Sequence, residues 1–123
     1  MVVDDKEVLE KPVDAEDAKK TLKRLSGKTH VVKTSHLLLT PTSSKTTKYD
    51  VIHEITETKV TFRVLEDEFI RDYVASGHPM DKAGSYGYME EGAALVSKIE
   101  GDYFNVIGFS AATFADLIKQ IYP

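Results

Sequence analysis

The chain has 123 residues, 41% hydrophobic and 29% charged, with a formal net charge of -4, four histidines and no cysteine. That length suits one domain over residues 1–123, and the acidic balance argues against a basic face for polymeric nucleic acid. Without cysteine there is no disulfide framework, thiolate nucleophile or cysteine-based zinc site; with only short apolar runs and no signal-peptide order at the start, a cytoplasmic chain away from membranes is expected.

Val2-Val3 reads as a strand running into a turn at Asp4-Asp5-Lys6, with Val8-Leu9 resuming before Lys11-Pro12. A chain that opens inside an apolar strand suggests a segment upstream. Asp14 is placed to cap a helix that ends before Gly27, with Ala15, Ala18, Leu22 and Leu25 as its apolar stripe. Lys19, Lys20, Lys23 and Arg24 then read as its solvated face.

His30 to Thr40 and Tyr49 to Val64 read as an antiparallel pair, joined by a Ser/Thr/Lys turn over Pro41 to Lys48 and burying Val60, Phe62 and Val64. His30, His36 and His53 fall on these strands and read as strand residues, since nothing in their spacing converges on a metal. Glu66 to Ser76 is a second amphipathic helix with Phe69, Ile70, Tyr73 and Val74 on one side. Ala93 to Ile99 and Tyr103 to Ile107 read as strands, and Thr113 to Tyr122 as a last helix with Phe114, Leu117, Ile118 and Ile121 inward. The class is α/β with a mixed sheet.

Between these elements, Gly77 to Gly92, GHPMDKAGSYGYMEEG, holds four of the seven glycines and an Asp-Lys pair. Glycines let backbone approach a ligand and a lysine offers a point charge to phosphate oxygens, so a nucleotide is one reading. A tight structural turn is the other, and composition alone favours it.

Four ordered blocks resemble the Maf proteins, nucleoside triphosphate pyrophosphatases related in fold to the Ham1-type inosine triphosphate pyrophosphatases. They are LEKP at Leu9–Pro12 with LSGKTH at Leu25–His30, ETKVTF at Glu57–Phe62, YVASGHPMDKAGSYG at Tyr73–Gly87, and IEGDYFNVIG at Ile99–Gly108. The resemblance implies a Maf/Ham1 (ITPase-like) fold, a mixed twisted sheet with flanking helices, here lacking the first strand-helix unit. It implies hydrolysis of an NTP or dNTP to the monophosphate and pyrophosphate with magnesium or manganese; a homodimer is a separate expectation. Lys11 falls at the family's active-site lysine and is expected to contact phosphate, against a plain surface lysine. Asp81, Lys82, Tyr86 and Gly87 fall in the signature loop, as substrate contacts or as turn formers.

The sequence also departs from the family pattern. It contains no S-x-S-P-R-R loop, and the family's general-base aspartate, in A-D-T-V-V, would precede Met1. This chain is therefore expected to be impaired, with a non-catalytic dimerisation or nucleotide-binding module as the alternative. Asp4 and Asp5 read as solvated turn carboxylates. Met89 stands where pyrimidine-preferring members carry glutamine, with Glu90 or Glu91 as substitutes if the loop shifts, and Ser110 stands where the family often has proline. Loss of a first strand and helix would leave a dimer, an aggregation-prone monomer or a rearranged N-terminus.

Overall fold

A computed structural model describes residues 1–42 and 48–123. The Ser/Thr/Lys turn expected between the long strands lies, for residues 43–47, outside the described residues. Five strands form one sheet in the order β2-β1-β3-β4-β5: β1 is Val2–Asp4, β2 Glu7–Leu9, β3 Thr29–Pro41, β4 Tyr49–Phe62 and β5 Val96–Glu100. All four pairings are antiparallel, so the sheet is not the mixed one expected. The reason is β1: it lies between β2 and β3 and runs opposite to both, which keeps those two parallel strands from touching.

The β1–β2 hairpin turns on Asp5 and Lys6, at φ 45° and 70°, the two positive angles that a two-residue turn needs to match strand twist. Helix α1, Ala15–Leu25, follows; Asp14 caps it by accepting from the Asp17 amide at 2.8 Å. Its Ala18, Leu22 and Leu25 are fully buried, while Ala15 stays exposed. Arg24 is not on a solvated face, and Asp4 is not a solvated turn carboxylate. Arg24 Nε donates to Asp4 Oδ2 at 2.6 Å and its Nη1 to Glu7 Oε2 at 2.6 Å, pinning the hairpin to α1.

The long β3–β4 ladder is in register from Thr29↔Thr61 to Pro41↔Tyr49, reaching one residue beyond the expected first strand at each end. Val60 and Phe62 are buried, but Val64 lies beyond the strand and is 79% exposed. Helix α2, Asp67–Ala75, buries Ile70, Tyr73 and Val74 against α1, completing one apolar cluster with Val2, Leu9, Val32 and Leu95.

Two further segments differ from expectation. Residues up to Leu95 form a turn of 3-10 helix, so β5 starts only at Val96. Tyr103–Ile107 is a short helix, α3, not a strand: Asp102 accepts from the Phe104 amide at 2.8 Å, and Gly108 ends the turn at φ 136°. A capping aspartate and a trailing glycine outweigh the β-branched and aromatic content of five residues. Helix α4, Ala111–Ile121, is capped by Ser110 and buries Leu117 and Thr113, while Phe114 remains 41% exposed.

Candidate functional site

The glycine-rich segment is built as a chain of tight turns. Gly77, at φ 80°, ends α2 and starts a 3-10 turn, His78–Asp81; a second follows at Ala83–Ser85. There Gly84 and Ser85 both have positive φ, 71° and 61°. The left-handed conformation costs a serine more than a glycine, so Ser85 is held by its surroundings, with its side chain fully buried. Several bonds fix the segment. Gly84 N donates to Glu10 O at 3.1 Å, Gly87 N to the Tyr73 hydroxyl at 3.3 Å, and His78 Nδ1 lies 2.6 Å from Glu91 Oε2.

Lys82 is the best-held cation of this segment. Its Nζ donates to His78 O at 2.9 Å and to Asp81 Oδ1 at 2.8 Å. Its stem lies flat over Gly87, where an added Cβ would come within 2.6 Å of Cε. The hydrogen bond and charge of Lys82 hold the Asp81 carboxyl below its ordinary range, with a smaller pull from Lys11. Asp81 therefore stays ionised and the lysine is restrained before any ligand arrives.

Beside Lys82 opens a cleft of about 620 Å³ between the glycine-rich segment, β3 and α3. Lys82, Tyr86, Gly87 and Met89 line it; an adjoining groove of about 380 Å³ holds Lys11 with Glu10. Met1 and Ala83 form the wall common to both. The structure thus brings together five of the six residues singled out in the sequence. The sixth, Asp81, lines neither depression and reaches the site only through Lys82.

Among the described residues, no aspartate or glutamate lines the larger cleft. Asp4 is turned onto Arg24, and neither Asp4 nor Asp5 lines either depression. Three further residues escaped the sequence reading. Tyr88 and Ile107 make an apolar wall of the cleft, and Asn105, fully buried in α3, forms part of its lining. The signal for Asn105 was the Asp102 and Gly108 pair that brackets a helical turn.

The buried side is aromatic. His30 and Phe62 pack edge-on against the Tyr86 ring, with centroids 5.4 and 4.7 Å away. Burial pushes His30 down to about 4, against a weaker upward pull from Asp4, and pushes the Tyr86 phenol up. His36, on β3, is buried against Phe109, while His53 is exposed and 2.6 Å from Ser35 Oγ. Among the described residues no three histidine, aspartate or glutamate side chains group to hold a metal ion, and no helix is long and apolar enough to cross a membrane.

A family model described as Maf-like protein matches residues 1–121. The chain is 43% identical over 120 residues to a dTTP/UTP pyrophosphatase of Caldanaerobacter subterraneus and 36% identical over 121 residues to one of Dictyoglomus thermophilum, 98% of the chain in both. It is 45% identical over 119 residues, 94% of the chain, to a human protein named "Probable bifunctional dTTP/UTP pyrophosphatase/methyltransferase protein". The matches span 56% and 60% of the two bacterial relatives and 19% of the human one.

Proposed function

The chain belongs to the Maf-like protein family, and from that premise we propose that it carries the nucleotide-binding part of a nucleoside triphosphate pyrophosphatase. The reaction is hydrolysis of an NTP or dNTP to the monophosphate and pyrophosphate, and the names of the relatives make dTTP and UTP the first substrates to test. The observation that carries this reading is Lys82, a restrained ammonium in the lining of a largely apolar cleft. A held cation among apolar lining residues matches a molecule that carries both phosphates and a base. Lys82, with Lys11 across the Met1–Ala83 wall, contacts phosphate; Tyr86, Gly87 and Met89 shape the nucleoside pocket.

Water attacking the α-phosphorus forms a new P–O bond as the α–β anhydride breaks and pyrophosphate leaves, and the water's proton needs an acceptor. Among the described residues the larger cleft has no carboxylate and the adjoining groove only Glu10, so the chain alone binds but turns over poorly, since loss of a dedicated general base typically costs about 10²–10⁴-fold. The same observation favours a second reading, a non-catalytic nucleotide-binding or dimerisation module. A cytoplasmic homodimer is part of the proposal. The homodimer is supported by Leu37, Leu39, Val51 and Ile55, all more than half exposed on one face of the β3–β4 ladder.

Magnesium or manganese enters with the family, to neutralise phosphate charge. The described residues do not themselves build a site for it: they contain no suitable cluster, and Asp81, the carboxylate beside Lys82, is engaged by that lysine.

The test is calorimetric binding and pyrophosphate release for the purified chain with magnesium or manganese, over dTTP, UTP, CTP, GTP and ITP. Lys82→Ala is expected to weaken dTTP binding by at least about tenfold, with release at background in all variants. Turnover lost in Lys11→Ala would overturn the impaired reading, and no binding of any nucleotide would overturn the proposal as a whole.

A further inference from the structure

The cleft beside Lys82 holds a second lysine. Lys33 lines it from β3 and Lys82 from the glycine-rich segment, and among the described residues of the lining there is no aspartate or glutamate. On the β3–β4 ladder Lys33 stands opposite Glu57, and Ser35 opposite Ile55. Side chains alternate along a strand and directly opposed residues share a face, so Lys33, Ser35 and Ile55 stand on one face, and all three belong to the cleft. The side chains of Lys33 and Lys82 are 32% and 38% exposed, within reach of a ligand.

The two lysines are held in the same way. Lys33 Nζ lies 2.6 Å from Glu57 Oε1; Lys82 Nζ donates to Asp81 Oδ1 at 2.8 Å and to His78 O at 2.9 Å. Neither carboxylate lines the cleft. Each acid restrains its lysine from outside, each ammonium keeps N–H donors for a ligand, and the lining carries two positive side chains with no negative one to offset them. An anion placed there meets both cations in a largely apolar surround, where charge-assisted hydrogen bonds are at their strongest.

Each ammonium is anchored to its own wall, so an anion that engages both must extend from one wall to the other. A linked diphosphate does this; a single phosphate serves one lysine at a time. We propose that Lys33 is a second phosphate-contacting residue, and that Lys33 and Lys82 together form a clamp that holds inorganic pyrophosphate, the leaving group of the proposed reaction. Free pyrophosphate then competes with the nucleotide for the cleft and inhibits by being retained. Lys11 lines the adjoining groove together with Glu10 and is not part of the clamp. This inference rests on the nucleotide-binding reading above and adds a residue and an inhibitor to it.

The Lys33–Glu57 pair is solvent-exposed, so removing it costs little stability. Binding of pyrophosphate, orthophosphate and dTTP to the unaltered chain, Lys33→Met and Lys82→Met is measured by calorimetry without added metal, so that only the chain's own cations act. Pyrophosphate is expected to displace dTTP and to bind the unaltered chain at least about tenfold more tightly than orthophosphate, a preference that falls to about twofold or less in either variant. The ratio is the readout, because a variant damaged in its fold loses both anions alike, and the comparison of anions on the unaltered chain depends on no variant. A ratio unchanged in Lys33→Met and reduced in Lys82→Met would overturn the role of Lys33 and leave the nucleotide reading standing. Binding of dTTP without competition from pyrophosphate would overturn the clamp. Failure to bind any nucleotide, with or without magnesium, would overturn both.

Discussion

His30 Nε2 lies 2.7 Å from the Tyr86 hydroxyl, joining β3 to the glycine-rich segment across 56 positions of sequence. The bond is buried, and the Tyr86 ring it secures is one wall of the cleft. A neutral imidazole is required here, because charging it would place an unsolvated cation among Phe62, Tyr86 and aliphatic side chains.

The pH dependence of stability follows from that requirement. His30 is protonated at its ordinary value of 6.5 in the unfolded chain but only near 4 in the folded one, so between those values the unfolded state binds more protons. Stability is present above the unfolded value and is lost as pH falls towards 4, by roughly 3 kcal/mol at most. Denaturant titrations between pH 7.5 and 4 should show this slope, and His30→Phe should flatten it. An unchanged slope in the variant would place the acid sensitivity in the carboxylates instead.

Gly87 and Gly92 separate two kinds of close approach. A Cβ on Gly87 would meet the Lys82 stem at 2.6 and 2.7 Å, and that flexible stem can swing aside. Gly87→Ala should cost little stability but pull the ammonium off His78 O and Asp81, weakening nucleotide binding by about tenfold. A Cβ on Gly92 would lie 1.7 Å from the Gly87 carbonyl oxygen, which belongs to backbone and cannot move alone. Gly92→Ala should destabilise by several kcal/mol, roughly 3 or more, or prevent folding. Paired calorimetric binding and thermal unfolding distinguish the two.

Ser110 gathers α3, α4 and the sheet at one point. Its hydroxyl donates to the Asp102 carboxylate and accepts from the Thr113 amide at 3.1 Å, and its own amide donates to His36 Nε2 at 3.3 Å. Ser110→Ala should cost about 1–2 kcal/mol through loss of the α4 cap. The Ser110 bond also holds the Asp102 carboxyl below its ordinary range. A depressed carboxyl adds stability above its unfolded pKa that is lost as pH falls through the folded one, so the acid limb of a stability–pH curve should be shallower in the variant.

Arg24 is the tether of the β1–β2 hairpin. Arg24→Ala leaves the buried Asp4 carboxylate without its cation, and hydrogen exchange over residues 2–9 should accelerate by at least about tenfold while the β4 amides keep their protection. Because Met1 and Val2 line the cleft, nucleotide affinity should fall with it. Unchanged exchange in the hairpin would show that the three-residue strands hold themselves.

Local chemistry made much of this protein legible in its sequence. Asp14, Asp17 and Gly27 mark the ends of α1 through the backbone groups next to them, and alternation marks β4, because capping and strand period act between near neighbours. Motifs singled out Lys11, Lys82, Tyr86, Gly87 and Met89, and these do meet around two adjoining depressions. Tyr103–Ile107 misled because five residues carry too little period to separate strand from helix, and only the cap at Asp102 decides.

The tertiary structure alone determined what depends on distant partners. Antiparallel pairing throughout came from β1 lying between β2 and β3, the ionic role of Asp4 from Arg24 twenty positions away, and the neutrality of His30 from burial against Tyr86. The hydrogen bonds of the Asn105 amide run to Val32, Thr56 and Thr58, 73 to 47 positions distant. A hydrogen bond or a charge is set by the few ångströms around it, and for these residues the chain brings those ångströms together only once it has folded.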